Sequence, residues 1–211
     1  MKTKLTKTEW DAVLIERHGA AVHEKLKAAT AGIAGLGGLG SAVAVALTRS
    51  GIGKLILGDF DRVEPSNLNR QHYFMDQLGE LKTDALAANL RRINPYLTLE
   101  LYAEKIMPEN VSPIFSGVDV MIEAFDRADQ KAMLLQEFTA QCAGIPFIGA
   151  SGMAGCGAGE TIGVKKLSAN VYIVGDLKTG LSPEHGLMAP RVGIAAHMQA
   201  NLALQIILGQ V

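Results

Sequence analysis

Cysteine is almost missing from this chain, which carries only Cys142 and Cys156. Two thiols cannot build a disulfide framework, and without a single Cys-x-x-Cys pair there is no four-thiolate zinc site. A reducing, cytoplasmic setting is therefore expected. Concentrated charge is missing too: the formal net charge is -1, which gives no electrostatic case for a nucleic acid or an anionic membrane surface. Any polyanion it binds should be small. No apolar run approaches the roughly 18 to 20 residues of a membrane helix, and the segment 1–10 is too polar for a signal peptide. Charged residues make up 19% against 48% hydrophobic, a balance that excludes disorder and supports a proper core. The five histidines are scattered. His23 and His197 read as packing or surface residues, while His72 and His185 lie near polar, glycine-bearing segments.

Glycine is plentiful at 23 residues, and its placement organises the rest. The stretch 31–41, AGIAGLGGLGS, sets Gly35, Gly37, Gly38 and Gly40 between an apolar run and an Ala/Val/Leu-rich run. It reads as strand, tight turn, helix. Gly35 allows the turn, Gly37 lets backbone approach a phosphate, and Gly40 lets the helix pack on the strand. The helix N-terminus then offers unpaired N–H groups to an anion.

The 211 residues suit one α/β domain spanning 1–211. Residues 6–27 carry helical spacing broken at Gly19, which predicts an N-terminal helical arm over 1–27 that packs on the domain or reaches another subunit. Strands are predicted ending near Ala34 and at 54–58, 98–102, 118–123 and 146–150, with helices over 40–49, 82–93 and 128–143 between them. A glycine-rich loop follows Gly152. Residues 161–164 and 171–174 read as an antiparallel pair around 165–170, 176–190 shows no period, and 191–208 closes as a helix. This alternation predicts a Rossmann-like α/β fold: a doubly wound, mainly parallel sheet with a C-terminal antiparallel extension.

Asp59 ends the second strand about twenty residues beyond Gly40, where an acid holds ribose hydroxyls in such folds. Polar side chains then crowd the stretch DFDRVEPSNLNRQ: Asp61, Ser66, Asn67, Asn69, Arg70 and Gln71, followed by Lys82. A dinucleotide oxidoreductase cradles its pyrophosphate mainly with backbone. An added arginine and lysine suit the greater charge of a triphosphate.

At this point the chain resembles a known family. GxGGLGS, DFDxVExSNLNRQ, Gly79-x-x-Lys82, INP at 93–95 and EAFD ending at Asp126 are similar to the ThiF/MoeB/ubiquitin-activating superfamily over roughly residues 15–208. The short length, the Arg17-His18-Gly19 arm, ASGMAG at 150–155 and GLMAPRV at 186–192 resemble the short ThiF-type adenylyltransferases of thiamine biosynthesis. The resemblance implies ATP and Mg²⁺ as cofactors. It implies as substrate a small ubiquitin-fold sulfur carrier of the ThiS type, whose C-terminal Gly-Gly carboxylate attacks the α-phosphate and releases pyrophosphate. It also implies site roles: Gly35, Gly37, Gly38 and Gly40 line the nucleotide, with Asp59 on the ribose and Asp61 and Asn69 beside the nucleotide. Asn67, Arg70, Gln71 and Lys82 contact the phosphates and Asp126 binds Mg²⁺. Arg17 on the arm reaches the neighbouring subunit's triphosphate, so a homodimer is expected.

The chemistry agrees with this residue set. A carboxylate attacking a phosphate brings two anions together, so cations and a metal are needed and a general base is not. Longer members of the superfamily pass the activated carrier to a cysteine. Here Cys142 sits on an apolar helix face as a core thiol, which leaves Cys156 as the one candidate nucleophile and adenylation alone as the expectation. Three other readings stay open. One is adenylation of another carrier or of a small-molecule or tRNA carboxylate, and another an NAD-dependent oxidoreductase, which leaves Asn67, Arg70 and Lys82 unexplained. The last, a non-catalytic half of a heterodimer, sits badly with the arginine and lysine.

Overall fold

The computed structural model describes residues 5–180, 182 and 185–211. Seven strands, β1 (Thr30–Ala34), β2 (Lys54–Gly58), β3 (Thr98–Tyr102), β4 (Val120–Glu123), β5 (Phe147–Ala150), β6 (Gly163–Ser168) and β7 (Val171–Gly175), form one sheet in the order β3-β2-β1-β4-β5-β7-β6. Every neighbouring pair runs parallel except β6 on β7. The order reverses direction between β1 and β4, and in an open α/β sheet the crevice beyond the strand ends at such a switch point is the place for a ligand. This is the Rossmann-like arrangement that the alternating pattern predicts, with the antiparallel pair at its edge.

Two apolar layers hold the sheet. On one face α3 (Gly38–Ser50), α4 (Lys82–Ile93) and α7 (Ala189–Leu208) bury Val43, Leu47, Leu86, Leu90 and Ala203 against Ile33, Leu57 and Ile122. On the other, α5 (Val111–Phe115) and α6 (Ala128–Gln141) bury Phe115, Leu134 and Phe138 against Ile56, Met121 and Phe147. Alternate strand residues serve opposite layers because side chains alternate along a strand. No helix among the described residues is long and apolar enough to cross a membrane.

The arm is α1 (Lys7–His18) and α2 (Ala20–Ala28), divided at Gly19 where φ is 87°. Thr6 and Glu9 cap α1 reciprocally, the Glu9 carboxylate accepting from the Thr6 N–H at 2.8 Å. Leu14 and His23 are buried beneath Gly51, and the Gly53 N–H donates to the Leu26 carbonyl at 2.9 Å. The arm thus packs on its own domain, at the end of α3 far from the glycine turn.

Several expectations shift. The edge pair is displaced: β6 spans Gly163–Ser168, so Lys165, Lys166 and Leu167 belong to the strand and not to the turn. All six residues of β6 are exposed, and without a buried face no alternation marked it. The strand expected at 118–123 begins at Val120, α3 begins at Gly38 and α7 at Ala189, with Pro190 in its first turn where proline is tolerated. The irregular stretch 60–77 contains two short 3-10 turns, and α5 is too short for its period to be read. Part of 176–190 lies outside the described residues.

Gly40 and Gly193 should respond oppositely to alanine. A Cβ on Gly40 would stand 1.8 Å from the Gly35 carbonyl oxygen, whereas one on Gly193 in α7 meets nothing within 4 Å. Gly40→Ala is expected to cost about 3 kcal/mol and Gly193→Ala to stabilise by about 0.5 to 1 kcal/mol in urea unfolding. Equal midpoints for the two variants would contradict this packing.

Candidate functional site

At the switch point the strand ends open into a cavity of about 530 Å³, a size that suits a bound small molecule. Gly35, Gly37 and Gly38 form its floor at the β1–α3 turn. Gly35 has φ 88°, and a side chain there would strike the Ala124 carbonyl oxygen at 2.8 Å. No side chain caps α3 at Gly37, which leaves its first N–H groups, beside the cavity, able to meet an anion. Gly40 does not line the cavity. It seats the helix against Gly35.

Asp59, at the end of β2, is 7% exposed and braces the turn: one carboxylate oxygen accepts from the Leu36 N–H at 2.6 Å, the other from the Asp61 N–H at 2.8 Å. Burial pushes its pKa above the ordinary carboxylate value, opposed by nearby Lys82 and the two amides. The Tyr73 hydroxyl donates to the Leu36 carbonyl at 2.7 Å and holds the turn from behind. Lys82 opens α4, with its side chain 7% exposed and its ammonium 2.8 Å from Asp61 Oδ2. The irregular stretch after β2 closes on itself through Val63 N–H to Glu80 O and Gly79 N–H to Val63 O, both at 2.9 Å. That closure is what brings Lys82 back beside Asp61.

Arg70 and Gln71 reach the same cavity, and both keep an unpartnered polar atom, Arg70 Nε and Gln71 Oε1. Buried polar atoms rarely go unpaired, and here a ligand can meet them. Asn67, expected at the phosphates, and Asn69, expected beside the nucleotide, are not among the residues that line the cavity. Asn67 is buried and accepts from the Glu64 N–H at 3.1 Å. Asn69 donates to the Leu187 carbonyl and accepts from Arg70 Nη1 at 2.9 Å, which orients the arginine. They build the wall, since a loop this polar has to satisfy its own backbone first.

Asp126, exposed on the turn after β4, lines the same cavity with Phe125, Arg127 and Lys131. An exposed carboxylate such as Asp126, in a cavity that can take phosphates, fits Mg²⁺, which takes one or two carboxylates together with phosphate oxygens and water. Arg17 is exposed on α1 and is not among the cavity residues.

Sequence reasoning missed two buried ion pairs. Glu123, 2% exposed, pairs with Lys131 at 2.8 Å. The signal was a single acid ending the otherwise apolar strand. Arg191, 4% exposed, pairs with Asp176 at 2.6 Å and donates to the Ala158 carbonyl at 2.6 Å, so it ties the glycine-rich loop to α7. Burial opposes the Asp176 charge, but the Thr179 hydroxyl, two amides and Arg191 outweigh it and hold the pKa at about 2. A second hollow adjoins the first through Ala154 and Thr179 and is lined by Cys156, Lys178, His185 and Arg191. Cys156 is exposed there, whereas Cys142 is buried and burial raises its pKa. His23 is a packing residue, His197 is exposed, and His72 is absent from the cavity.

The ThiF family profile matches residues 11–211. Ubiquitin-like modifier-activating enzyme 5 of Bombyx mori is 48% identical over 80 residues, 38% of this chain and 20% of that protein. The tRNA threonylcarbamoyladenosine dehydratase of Haemophilus influenzae is 40% identical over 113 residues, 53% of this chain and 43% of that one. The matched stretches span less than half the length of either relative. Among solved structures, the E. coli tRNA N6-threonylcarbamoyladenosine dehydratase in complex with ATP superposes with a TM-score of 0.87 at 22% identity, over 99% of this chain and 98% of that one. That likeness is one of fold.

The Asp176 environment carries a pH signature. A carboxyl held near pKa 2 in the fold and at 3.8 when unfolded contributes stability above pH 3.8, which is lost as pH falls through about 2. Asp176→Asn should therefore be less stable than the parent at pH 7 in urea unfolding, with the gap closing across that acid window. A gap independent of pH would contradict the assignment.

Proposed function

The chain belongs to the ThiF family, and from that premise we propose that it uses ATP to adenylate a carboxylate. The substrate we infer is the C-terminal glycine of a small ubiquitin-fold sulfur carrier of the ThiS type. One observation carries the reading: the glycine turn, Arg70, Gln71, Lys82 and Asp126 surround a single cavity with Asp59 at its base. A solved protein of this fold holds ATP, and the relative from Bombyx mori is named for activating a ubiquitin-like modifier.

In this reading Asp59 holds the ribose, while the N–H groups at Gly37 and Gly38 and the α3 terminus receive the phosphates. Arg70 Nε and the ammonium donors of Lys82 that Asp61 leaves free meet the phosphate oxygens. Magnesium, held by Asp126 and the phosphates, supplies charge neutralisation when bound. The carrier carboxylate oxygen forms a bond to the α-phosphorus as the bond to the bridging oxygen breaks, and pyrophosphate leaves with the electron pair. The nucleophile is already ionised at neutral pH, so the site needs cations and not a base. Arg17, remote from its own chain's cavity, serves the partner's site in a homodimer. Sulfur comes from another protein.

A second reading takes a tRNA-borne carboxylate, favoured by the likeness to the Haemophilus influenzae dehydratase. The net charge of -1 favours the carrier, because phosphate contacts dominate nucleic-acid affinity.

Exchange of labelled pyrophosphate into ATP tests the reading. It should require a carrier with an intact Gly-Gly tail, and Arg70→Ala should lower it about 100-fold or more while the protein stays folded. ATP binding without exchange on any such carrier would overturn the carrier as substrate and bring the tRNA carboxylate forward.

A further inference from the structure

β4 and β5 pair only at Met121 with Phe147 and Ile122 with Ile148. Beyond that ladder both segments run on into the cavity lining, β4 through Ala124–Asp126 and β5 through Ala150–Ala154. An ion pair joins the two strand ends. Glu123 accepts from the Phe125 N–H at 2.7 Å and from Lys131 Nζ at 2.8 Å through one oxygen, and from the Ala150 N–H at 3.3 Å through the other. Lys131, from the first turns of α6, also donates to the Ala150 carbonyl at 3.0 Å. From α7, Gln199 donates to the Glu123 and Ile148 carbonyls at 3.1 and 3.3 Å.

A buried ion pair is a costly way to join two strands, since desolvation offsets much of the attraction. A gain in stability therefore does not account for it. Its position does: Lys131 lines the cavity with 24% of its side chain exposed, and its two hydrogen bonds run one to each strand end. We infer that Lys131 is a positioning residue that, through Glu123, fixes the Asp126 turn relative to the Ala150–Ala154 segment. The inference rests on the adenylation reading, in which the segments that line the cavity must hold the two reactants at a set separation. An error of about 1 Å in such a separation costs on the order of 100-fold in rate.

The test compares Lys131→Met, Lys131→Arg and the double variant Lys131→Met/Glu123→Gln in the full chain, by ATP affinity, carrier KM and kcat for pyrophosphate exchange. The double variant leaves no unpaired buried carboxylate, so it decides the matter if Lys131→Met alone does not fold. Expected for the double variant are ATP affinity and carrier KM within about threefold of the parent and kcat down by about 30-fold or more, with Lys131→Arg recovering to within about fivefold. An unchanged kcat, or a loss confined to thermal stability and ATP affinity, would overturn the positioning role. If the parent itself gives no exchange, the adenylation reading fails and amide hydrogen exchange decides for Lys131. ATP should then slow exchange at residues 150–155 in the parent and not in the double variant, and equal slowing in both overturns the inference.

Discussion

The structure depends on how closely α3 approaches the end of β1. Gly40 lies so near the Gly35 carbonyl that no side chain fits between them, and this contact aims the uncapped helix terminus into the crevice beyond the sheet. The α3–α7 packing and the seating of Asp59 on the Leu36 amide follow from where that helix sits. A helix displaced by one methyl would move the anion-binding N–H groups away from the arginine and lysine that share their cavity. Fold and site are therefore the same constraint seen from two sides.

Charge is distributed accordingly. The chain is nearly neutral overall, yet it buries Asp59, Lys82, Glu123 and Arg191 in or beside one region. Each is hydrogen-bonded, and burial raises the pKa of both Asp59 and Glu123. Groups of this kind cluster where function requires them, because their desolvation does not favour folding. The region fits transfer between anions. The first turn of α3, Arg70 and Lys82 share the cavity with the carboxylates of Asp59, Asp61 and Asp126, and in the adenylation reading no acid–base pair is needed for an ionised nucleophile.

The comparisons and the geometry act at different levels. The family match over 11–211 fixes the kind of protein, and the solved neighbour at a TM-score of 0.87 fixes the fold. Substrate is another matter. The two curated relatives bear names for different targets, and this chain matches less than half of each. The carrier proposal therefore rests on the cavity and on the net charge of -1, which is why pyrophosphate exchange is the measurement that discriminates.

The sequence by itself determined the glycine turn, the parallel sheet, the acid at the end of β2 and the polar loop with Arg70 and Lys82. These were legible because they are local: the glycines sit at fixed offsets, buried strands are apolar runs, and Asp59 follows its strand directly. Which members of the loop face a ligand was decided only by tertiary structure. Asn67 and Asn69 share their stretch with Arg70, but the 3-10 turn at Pro65–Asn67 directs Asn67 to the loop's own backbone and leaves Arg70 and Gln71 for the cavity. The exposed strand β6 was misplaced because a strand with no buried face carries no alternation. The pairs Glu123–Lys131 and Asp176–Arg191 went unread because their partners come from separate elements, even though Glu123 stands out as the one acid of its strand. Local backbone rules can be read along a chain, whereas the pairing of distant charges exists only once the sheet has brought their elements together.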